Sequence, residues 1–237
     1  MEKTMWRTLW AAVFGDEGWI DCFFRTAFRE ENTLAILRND QIAAGLAWMD
    51  VTCEGRKLAY LYAVATAPEY RHRGLCRELM AKTQEVLTSR GYDGSVLVPA
   101  DEGLRKMYAG MGYRNSGGVR NLTVAAGTPV PLWEISPEEY AALRREYLPQ
   151  GGIVQEDGAI EYLAQAAKLC AGDGFLLAAT EEEPMELLGK ASQAPGILGA
   201  LGKKQGAFRI PGTEPFAMFR PTQADTWHPA YFGLAFE

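Results

Sequence analysis

A strand, a basic turn and a helix follow one another without a gap between Leu58 and Ser89. Leu58 to Thr66 is an apolar, aromatic-rich run without helical spacing, which is typical of a buried strand. Pro68 ends the strand, and the compact turn Arg71-His72-Arg73-Gly74-Leu75-Cys76 leads into an amphipathic helix. The unpaired N–H groups of a helix start, together with the helix dipole, favour an anion. This order of elements therefore predicts a phosphate-binding turn.

Two further blocks follow this turn in the chain. They are Leu97-Val98-Pro99-Ala100 and Leu104-x-x-x-Tyr108-x-x-x-Gly112-Tyr113. In this order, Arg71-x-x-Gly74-x-Cys76 resembles the pyrophosphate loop of the GNAT N-acetyltransferase superfamily. The first of the two blocks resembles that family's next strand, and the second resembles its tyrosine helix and turn. Cys76 stands where that family usually has glycine or alanine, and Asp101 stands where many members have asparagine. The resemblance implies an α+β fold with a mixed, mostly antiparallel sheet flanked by helices.

The resemblance also implies a cofactor, acetyl-CoA, and the residues that bind it. A backbone N–H near Val64, Ala65 and Thr66 would polarise the acetyl carbonyl, because strands of this family splay and bulge there. The remaining cofactor-binding residues implied by the resemblance form the loop and the helix start: Arg71, His72, Arg73, Gly74, Leu75, Cys76 and Arg77. Among these, the arginines would neutralise phosphate charge. In return, an anionic ligand would offset the unfavourable position of cations at a helix start.

Tyr108 is the predicted catalytic residue, because its family position is that of the general acid. A phenol has an unperturbed pKa near 10 and stays protonated at neutral pH, so it can donate to the leaving sulfur. A purely structural alternative is a core aromatic, since Tyr108 shares a helical face with other apolar residues. The general base stays open, because the strand Lys57 to Thr66 has no carboxylate. The candidates are Glu30, Glu31, Asp50 and the terminal carboxylate of Glu237, for which an ordinary exposed terminus is the alternative.

The rest of the first half predicts helices at Thr4–Val13 and Glu17–Arg29, then a hairpin of Thr33–Arg38 and Gln41–Val51. Arg114–Gly118 is a predicted loop and Val119–Ala125 a predicted strand. Two prolines in Gly127 to Pro131 mark the best domain boundary. We therefore expect an acetyl-CoA-binding GNAT domain at residues 1–127 and a second unit at residues 128–237.

The second half repeats the layout of the first in a shorter form. Predicted helices begin after Ser136 and span Asp157–Cys170 and Ala194–Leu201, and the predicted strands are Gly174–Thr180, Met185–Leu188, Ala207–Ile210, Phe216–Phe219 and Tyr231–Phe236. The order resembles the degenerate second unit of tandem-GNAT proteins such as the enhanced intracellular survival type acetyltransferases. No second pyrophosphate loop occurs in it.

Composition excludes several other classes of protein. The net charge of −6 disfavours nucleic acid as a partner, and no apolar run is long enough to span a bilayer. The cysteines at 22, 53, 76 and 170 form no C-x-x-C pair and have no nearby histidines, which argues for reduced thiols and against a metal site. We expect a cytoplasmic protein without a secretion signal. A homodimer is compatible with the sequence.

The sequence thus predicts an acetyl-CoA-dependent N-acetyltransferase, with a non-catalytic acyl-CoA sensor or scaffold as the alternative. A negative protein attracts cationic ligands, so we expect a small amine or a peptide amine as acceptor. Aromatic residues that precede or flank the expected active-site strands could hold a cation or an apolar body: Phe14, Phe23, Phe24, Trp48, Tyr60 and Tyr62.

Overall fold

The computed structural model describes residues 3–15, 17–180 and 184–235. The fold is α+β, with mostly antiparallel strands flanked by helices, as predicted. The helices are α1 (Lys3–Phe14), α2 (Glu17–Thr26), α3 (Leu75–Ser89), α4 (Glu102–Ala109), α5 (Pro137–Tyr147), α6 (Gly158–Ala166) and α7 (Ala194–Ala200). The strands are β1 (Thr33–Arg38), β2 (Gln41–Cys53), β3 (Arg56–Thr66), β4 (Gly94–Leu97), β5 (Arg114–Ala125), β6 (Leu132–Glu134), β7 (Val154–Gln155), β8 (Lys168–Gly172), β9 (Phe175–Ala179), β10 (Pro184–Gly189), β11 (Gln205–Pro211) and β12 (Glu214–Pro221).

The chain forms two compact units. Unit 1 combines Met1–Arg114 with Met218–Trp227, and unit 2 combines Asn115–Ala217 with His228–Glu237. The division in space therefore falls after Arg114 and not after Gly127, and a segment from near the C-terminus returns to unit 1. The assignment of residues 1–127 and 128–237 to two functional domains stays a prediction. None of the described helices is long and apolar enough to cross a lipid bilayer.

The sheet of unit 1 starts with two hairpins. β1 and β2 are antiparallel around Asn39 and Asp40, both of which have positive φ, and β2 and β3 are antiparallel around Glu54 and Gly55. β4 lies parallel to β3, and the returning residues Met218 to Pro221 of β12 pair antiparallel with β4. Gly94 of β4 lacks a side chain where the ring of Phe219 approaches, since a Cβ there would lie 2.4 Å from that ring.

Alternate residues of these strands serve two apolar layers in unit 1. One layer packs on α3 and contains Leu61, Leu79, Tyr108 and Met218. The other consists of aromatic rings from α1 and α2 together with Tyr62 of β3. The alternation of Leu61 and Tyr62 reflects the two-residue period of a strand.

The strands of unit 2 are covered on both faces. Its strands lie in the order β5, β11, β10, β9, β8, β6, and only β10 and β11 are parallel among them. Along β9, Leu176 and Ala178 face the cluster that contains Tyr140 of α5 and Ile160 of α6. Phe175, Leu177 and Ala179 face the cluster of α7. Because both faces are buried, β9 is apolar throughout, as expected for a central strand.

The predicted helix Asp157–Cys170 is wrong at its C-terminal end. α6 ends at Ala166, and Lys168–Gly172 forms β8, which pairs with β6 on one side and β9 on the other. Leu169 and Ala171 pack on one face and Cys170 on the other. Tertiary strand pairing here overrides the local helical preference, and a single sequence does not reveal such pairing.

Three other boundaries also differ from the prediction. β4 ends at Leu97, because Pro99 has no N–H for a ladder. The predicted loop Arg114–Gly118 is the start of β5; a Cβ on Gly118 would lie 2.5 Å from the carbonyl oxygen of Gly212. The predicted strand Tyr231–Phe236 is not a regular strand in its described part, since Tyr231 makes an isolated bridge with Gly152 and residues 232–235 are in no strand. Phe236 lies outside the described residues.

Candidate active site

A β-bulge interrupts β3 near its C-terminal end. Gly45 pairs with Ala65 and Ala47 with Tyr62, so β3 has one more residue than β2 between these pairs. Ala63 has a φ of 51° at this point, and its carbonyl accepts a hydrogen bond of 3.1 Å from the indole Nε1 of Trp10. The bulge is therefore fixed by a side chain of α1.

β3 and β4 also separate at this point. Their pairing runs from Leu58 with Gly94 to Tyr60 with Val96, and β3 then continues to Thr66 without further pairs to β4. The N–H of Ala67 donates to Ala43 of β2. Since backbone donors alternate along a regular strand, the N–H groups of Ala65 and Ala67 point to β2, and that of Thr66 points away from it, towards the unpaired edge. Val64 lies in the bulge, where this alternation is interrupted. Of the predicted Val64, Ala65 and Thr66, Thr66 thus presents a donor to this edge.

The basic turn links this edge to α3. After a short 3₁₀ turn at Pro68–Tyr70, His72 and Gly74 both have positive φ, 60° and 78°. At Gly74 the conformation explains the glycine, because residues with a Cβ rarely adopt it. The first helical bond joins the N–H of Glu78 to the carbonyl of Gly74 at 3.1 Å, and no side chain caps the helix. The N–H groups of Leu75, Cys76 and Arg77 are therefore directed out of the helix end.

The three arginines predicted for the loop are exposed around this helix end. Arg71 donates from Nε to the carbonyl of Thr66 at 3.3 Å, and the guanidinium of Arg73 lies 5.5 Å from the ring centroid of Tyr70. Arg77 donates to the carbonyl of Gly110 at 3.0 Å and so ties α3 to the end of α4. Exposed cations near uncapped N–H groups favour a phosphate.

The other predicted loop residues have different environments. His72 is exposed on the turn, whereas the side chain of Leu75 is buried in the core of unit 1. Cys76 is half-buried and packs against the same core. Burial raises the pKa of the Cys76 thiol. A thiol in this state fills space and is a weak nucleophile.

Tyr108 lies on α4 and is buried, with its ring edge-on to Tyr113 at 5.9 Å between centroids. Asp101 fixes the start of α4 by accepting a 2.7 Å hydrogen bond from the N–H of Leu104. Burial is the main cause that raises the pKa of Tyr108, and the nearby Cys76 and Tyr113 raise it further. The hydroxyl of Tyr108 therefore stays protonated at neutral pH. Among the described residues, no group hydrogen-bonds to this hydroxyl, although Tyr108 is only 6% exposed.

Two supports of the site have no clear signal in the sequence. One is the bond from Trp10 to the bulge, because an aromatic stripe on a helix usually indicates core. The other is Tyr113, whose hydroxyl lies 2.7 Å from Oγ of Ser95 and whose pKa is raised to about 12, chiefly by burial. Both depend on contacts between residues far apart in the chain.

The candidate bases have different environments. Asp50 accepts a hydrogen bond from the hydroxyl of Tyr92 and lies opposite Ala59, where β3 is still paired with β4. Glu30 and Glu31 are exposed in a 3₁₀ turn at Glu30–Asn32. Glu237 lies outside the described residues. The identity of the base therefore stays open.

Sequence comparison identifies the family of the region that carries this site. Residues 2–115 match the model of the acetyltransferase (GNAT) domain. This region is a GNAT acetyltransferase domain. The resemblance stated from the sequence is thereby confirmed, and the GNAT domain belongs to a family that transfers acyl groups. No curated protein sequence matches the chain.

Solved structures share the fold over most of the chain. A GCN5-related N-acetyltransferase from Kribbella flavida matches with a TM-score of 0.68 at 16% identity, over 93% of this chain and 69% of that one. Another, from Anabaena variabilis ATCC 29413, gives 0.66 at 15% identity, over 92% and 69%. Eis1 from Mycobacterium abscessus gives 0.65 at 12% identity, over 93% and 71%. At these identities the likeness concerns the fold, and the tandem-GNAT origin of unit 2 stays a prediction.

Proposed function

We propose that this protein is an acetyl-CoA-dependent N-acetyltransferase that acts on the amine of a small molecule or peptide. The uncapped start of α3, directly after the bulged end of β3, is the observation that carries the proposal. The helix start would hold the pyrophosphate, and the open edge of β3 would hold the pantetheine arm that leads to the thioester. The GNAT match over residues 2–115 supports the same cofactor.

Each part of the site has one task in this proposal. Leu75, Cys76 and Arg77 donate backbone N–H groups to phosphate oxygens, and Arg71 and Arg73 add charge. Val64 or Thr66 donates a backbone N–H to the acetyl carbonyl, which stabilises the negative charge that develops on its oxygen. Acetyl-CoA supplies an activated acetyl group: the transfer forms an N–C bond and breaks the C–S bond. The acceptor ammonium loses two protons, of which one is released to solvent and one balances the proton that the departing sulfur takes up to become the CoA thiol.

Tyr108 is the proposed general acid in this transfer. Its hydroxyl is protonated at neutral pH because burial raises its pKa. It therefore donates towards the departing sulfur and stabilises the thiolate as the C–S bond breaks. A half-exposed phenol would form hydrogen bonds with water. The buried Tyr108 has little contact with water, so its hydroxyl is available to the sulfur.

Replacing Tyr108 by phenylalanine tests this role. We expect Tyr108→Phe to lower kcat by roughly 10²–10⁴-fold, since that is the usual contribution of a proton donor. The dissociation constant of CoA, measured by calorimetry, should change little. Tyr92→Phe is the matched control, because Tyr92 is also a buried tyrosine of unit 1 but its hydroxyl bonds Trp48 and Asp50.

The outcomes separate the proposal from its alternatives. Wild-type turnover in Tyr108→Phe would reject the catalytic role. Binding of acetyl-CoA without acetylation of any amine would instead favour an acyl-CoA sensor. Absence of binding would remove the phosphate site at Arg71–Cys76. The cytoplasmic location and the homodimer remain predictions from the sequence.

A further inference from the structure

Three partly exposed aromatic rings lie side by side in unit 1, next to the bulge of β3. We call Phe14, Trp19 and Tyr62 the ring wall. The centroids of Phe14 and Trp19 are 5.6 Å apart, and those of Trp19 and Tyr62 are 5.9 Å apart. Phe14 is 42% exposed, which is high for a large apolar side chain. Water therefore reaches apolar surface here that the fold itself does not cover.

A rigid base supports the ring wall. Trp10 and Phe23 are fully buried, and both contact Trp19, at 6.0 and 6.1 Å between centroids. Phe23 also contacts Tyr62 at 5.1 Å. Rings held in this way lose little conformational freedom when a ligand packs on them, so their contact energy is available for binding.

The ring wall is continuous with the proposed reacting centre. Tyr62 immediately precedes Ala63, whose carbonyl is held by Trp10 at the bulge. The open edge of β3 begins after Tyr60 and includes the residues that follow Tyr62. An acceptor whose amine reaches an acetyl group at this edge therefore has its remaining atoms within reach of the rings.

The charged groups beside the rings favour an apolar body over a highly charged one. Asp21 on α2 forms an ion pair with Arg7 of α1. Lys3 and Arg7 lie over the ring of Phe24, at 5.5 and 5.7 Å from its centroid. Asp21 is thus paired with Arg7, and a polycation would meet Lys3 and Arg7 beside Phe24.

From this geometry we propose that the acceptor is a primary amine carried on an aromatic body, which packs on the ring wall. Phe14, Trp19 and Tyr62 then determine specificity by contact with the ring of the acceptor. The inference rests on the proposed acetyl transfer, since it places the amine at the acetyl group. It narrows the acceptor from any small amine or peptide to an arylalkyl type.

Steady-state kinetics with amines of matched charge test the inference. The full-length protein is assayed with acetyl-CoA and 2-phenylethylamine, n-propylamine, spermidine or kanamycin, with release of free CoA thiol as the readout. We expect kcat/KM for 2-phenylethylamine to exceed that for n-propylamine by about 10-fold or more, as a well-packed ring contributes more than a methyl group. Spermidine and kanamycin should be poorer acceptors than 2-phenylethylamine.

Substitutions of Phe14 test whether the preference for 2-phenylethylamine depends on the ring wall. We expect Phe14→Ala to lower kcat/KM for 2-phenylethylamine by about 2- to 10-fold, and to lower it by a larger factor than kcat/KM for n-propylamine, because one aromatic contact is lost. Phe14→Tyr keeps a ring and should restore the preference. Leu37→Ala is the matched control, since Leu37 lies on β1 and is exposed to nearly the same extent, 44%.

Equal kcat/KM values for 2-phenylethylamine and n-propylamine would overturn the inference and leave the acetyl transfer intact. So would a preference for spermidine or kanamycin, or equal effects of Phe14→Ala and Leu37→Ala. Binding of acetyl-CoA without acetylation of any of the four amines would overturn this inference, and the proposed function would fail only if peptide amines were not acetylated either.

Discussion

The two units use their charged residues in opposite ways. Unit 1 has 16 Lys and Arg against 16 Asp and Glu, and unit 2 has 8 against 14, so the net charge of −6 belongs entirely to unit 2. In unit 1 the cations Arg71, Arg73 and Arg77 are exposed around an uncapped helix start. In unit 2 the most elaborate polar group is sealed inside the core. Only the first arrangement leaves donors for a ligand.

The sealed group of unit 2 is centred on Glu186. Arg144 donates to both of its carboxylate oxygens, at 2.8 and 3.0 Å, and also donates to the carbonyl of Ile153. Tyr140 and Tyr231 donate from their hydroxyls to the same carboxylate. Burial and the adjacent carboxylate raise the pKa of both tyrosines well above 10, so they stay hydrogen-bond donors. Every side chain of this group forms a hydrogen bond with another of its side chains, which indicates a structural role.

Removal of the returning segment gives the largest expected effect. Met218 and Phe219 are buried in unit 1, and Thr222 donates to the carbonyl of Tyr92. We therefore expect a chain truncated after Gly127 to lose the cooperative unfolding of unit 1, measured by circular dichroism in urea. A variant that joins Arg114 to Met218 by a flexible linker keeps the segment and should unfold cooperatively. If the chain truncated after Gly127 is as stable as the linked variant, the segment is not part of unit 1.

The local elements of unit 1 could be predicted from the sequence, and its closing strand could not. Pro68, Gly74 and the apolar spacing after it act within a few residues, so the turn and α3 follow from local chemistry. Residues Met218 to Pro221 pair with β4, more than a hundred residues earlier in the chain. Their composition fits any strand, and nothing local specifies the partner. Phe14 and Tyr62 of the ring wall could be named from the sequence, whereas their contacts with Trp19 and the Trp10 bond to Ala63 could not, for the same reason.

Loss of one member of the sealed group is the next largest expected effect. Arg144 is 1% exposed and Glu186 is fully buried, so Arg144→Met leaves an unpaired carboxylate in the core of unit 2. We expect a loss of about 3–5 kcal/mol in the free energy of unfolding, measured in urea. Combining Arg144→Met with Glu186→Leu, Tyr140→Phe and Tyr231→Phe removes the polar side-chain groups around Glu186, leaves the carbonyl of Ile153 without Arg144, and should recover most of that loss.

Measuring the rate of acetylation separates the effect of Arg144→Met on stability from an effect on catalysis. At a temperature where the Arg144→Met variant is still folded, we expect its kcat to match that of the wild type. A large fall in kcat under those conditions would contradict a purely structural role for the sealed group. A change in unfolding free energy below about 1 kcal/mol would show that Glu186 finds another partner or a proton.

The smallest expected effect concerns the exposed end of the returning segment, where Asp225 accepts a hydrogen bond from the N–H of Trp227 and pairs with Arg56 at 2.9 Å. The hydrogen bond from the backbone is the main cause that lowers the pKa of Asp225 below its usual 3.8, and the positive charge of Arg56 adds to it.

A carboxyl group whose pKa is lowered in the folded state stabilises the fold at pH values above its unfolded pKa. That stabilisation is lost as the pH falls through the folded pKa. Asp225→Asn should therefore reduce the stability of unit 1 slightly at pH 7, and the difference from wild type should vanish as the pH falls below 3.8. Because the pair is exposed to solvent, 1 M salt should weaken the part contributed by Arg56 but not the backbone bond. A difference that grows as the pH falls would show that Asp225 does not contribute through its charge.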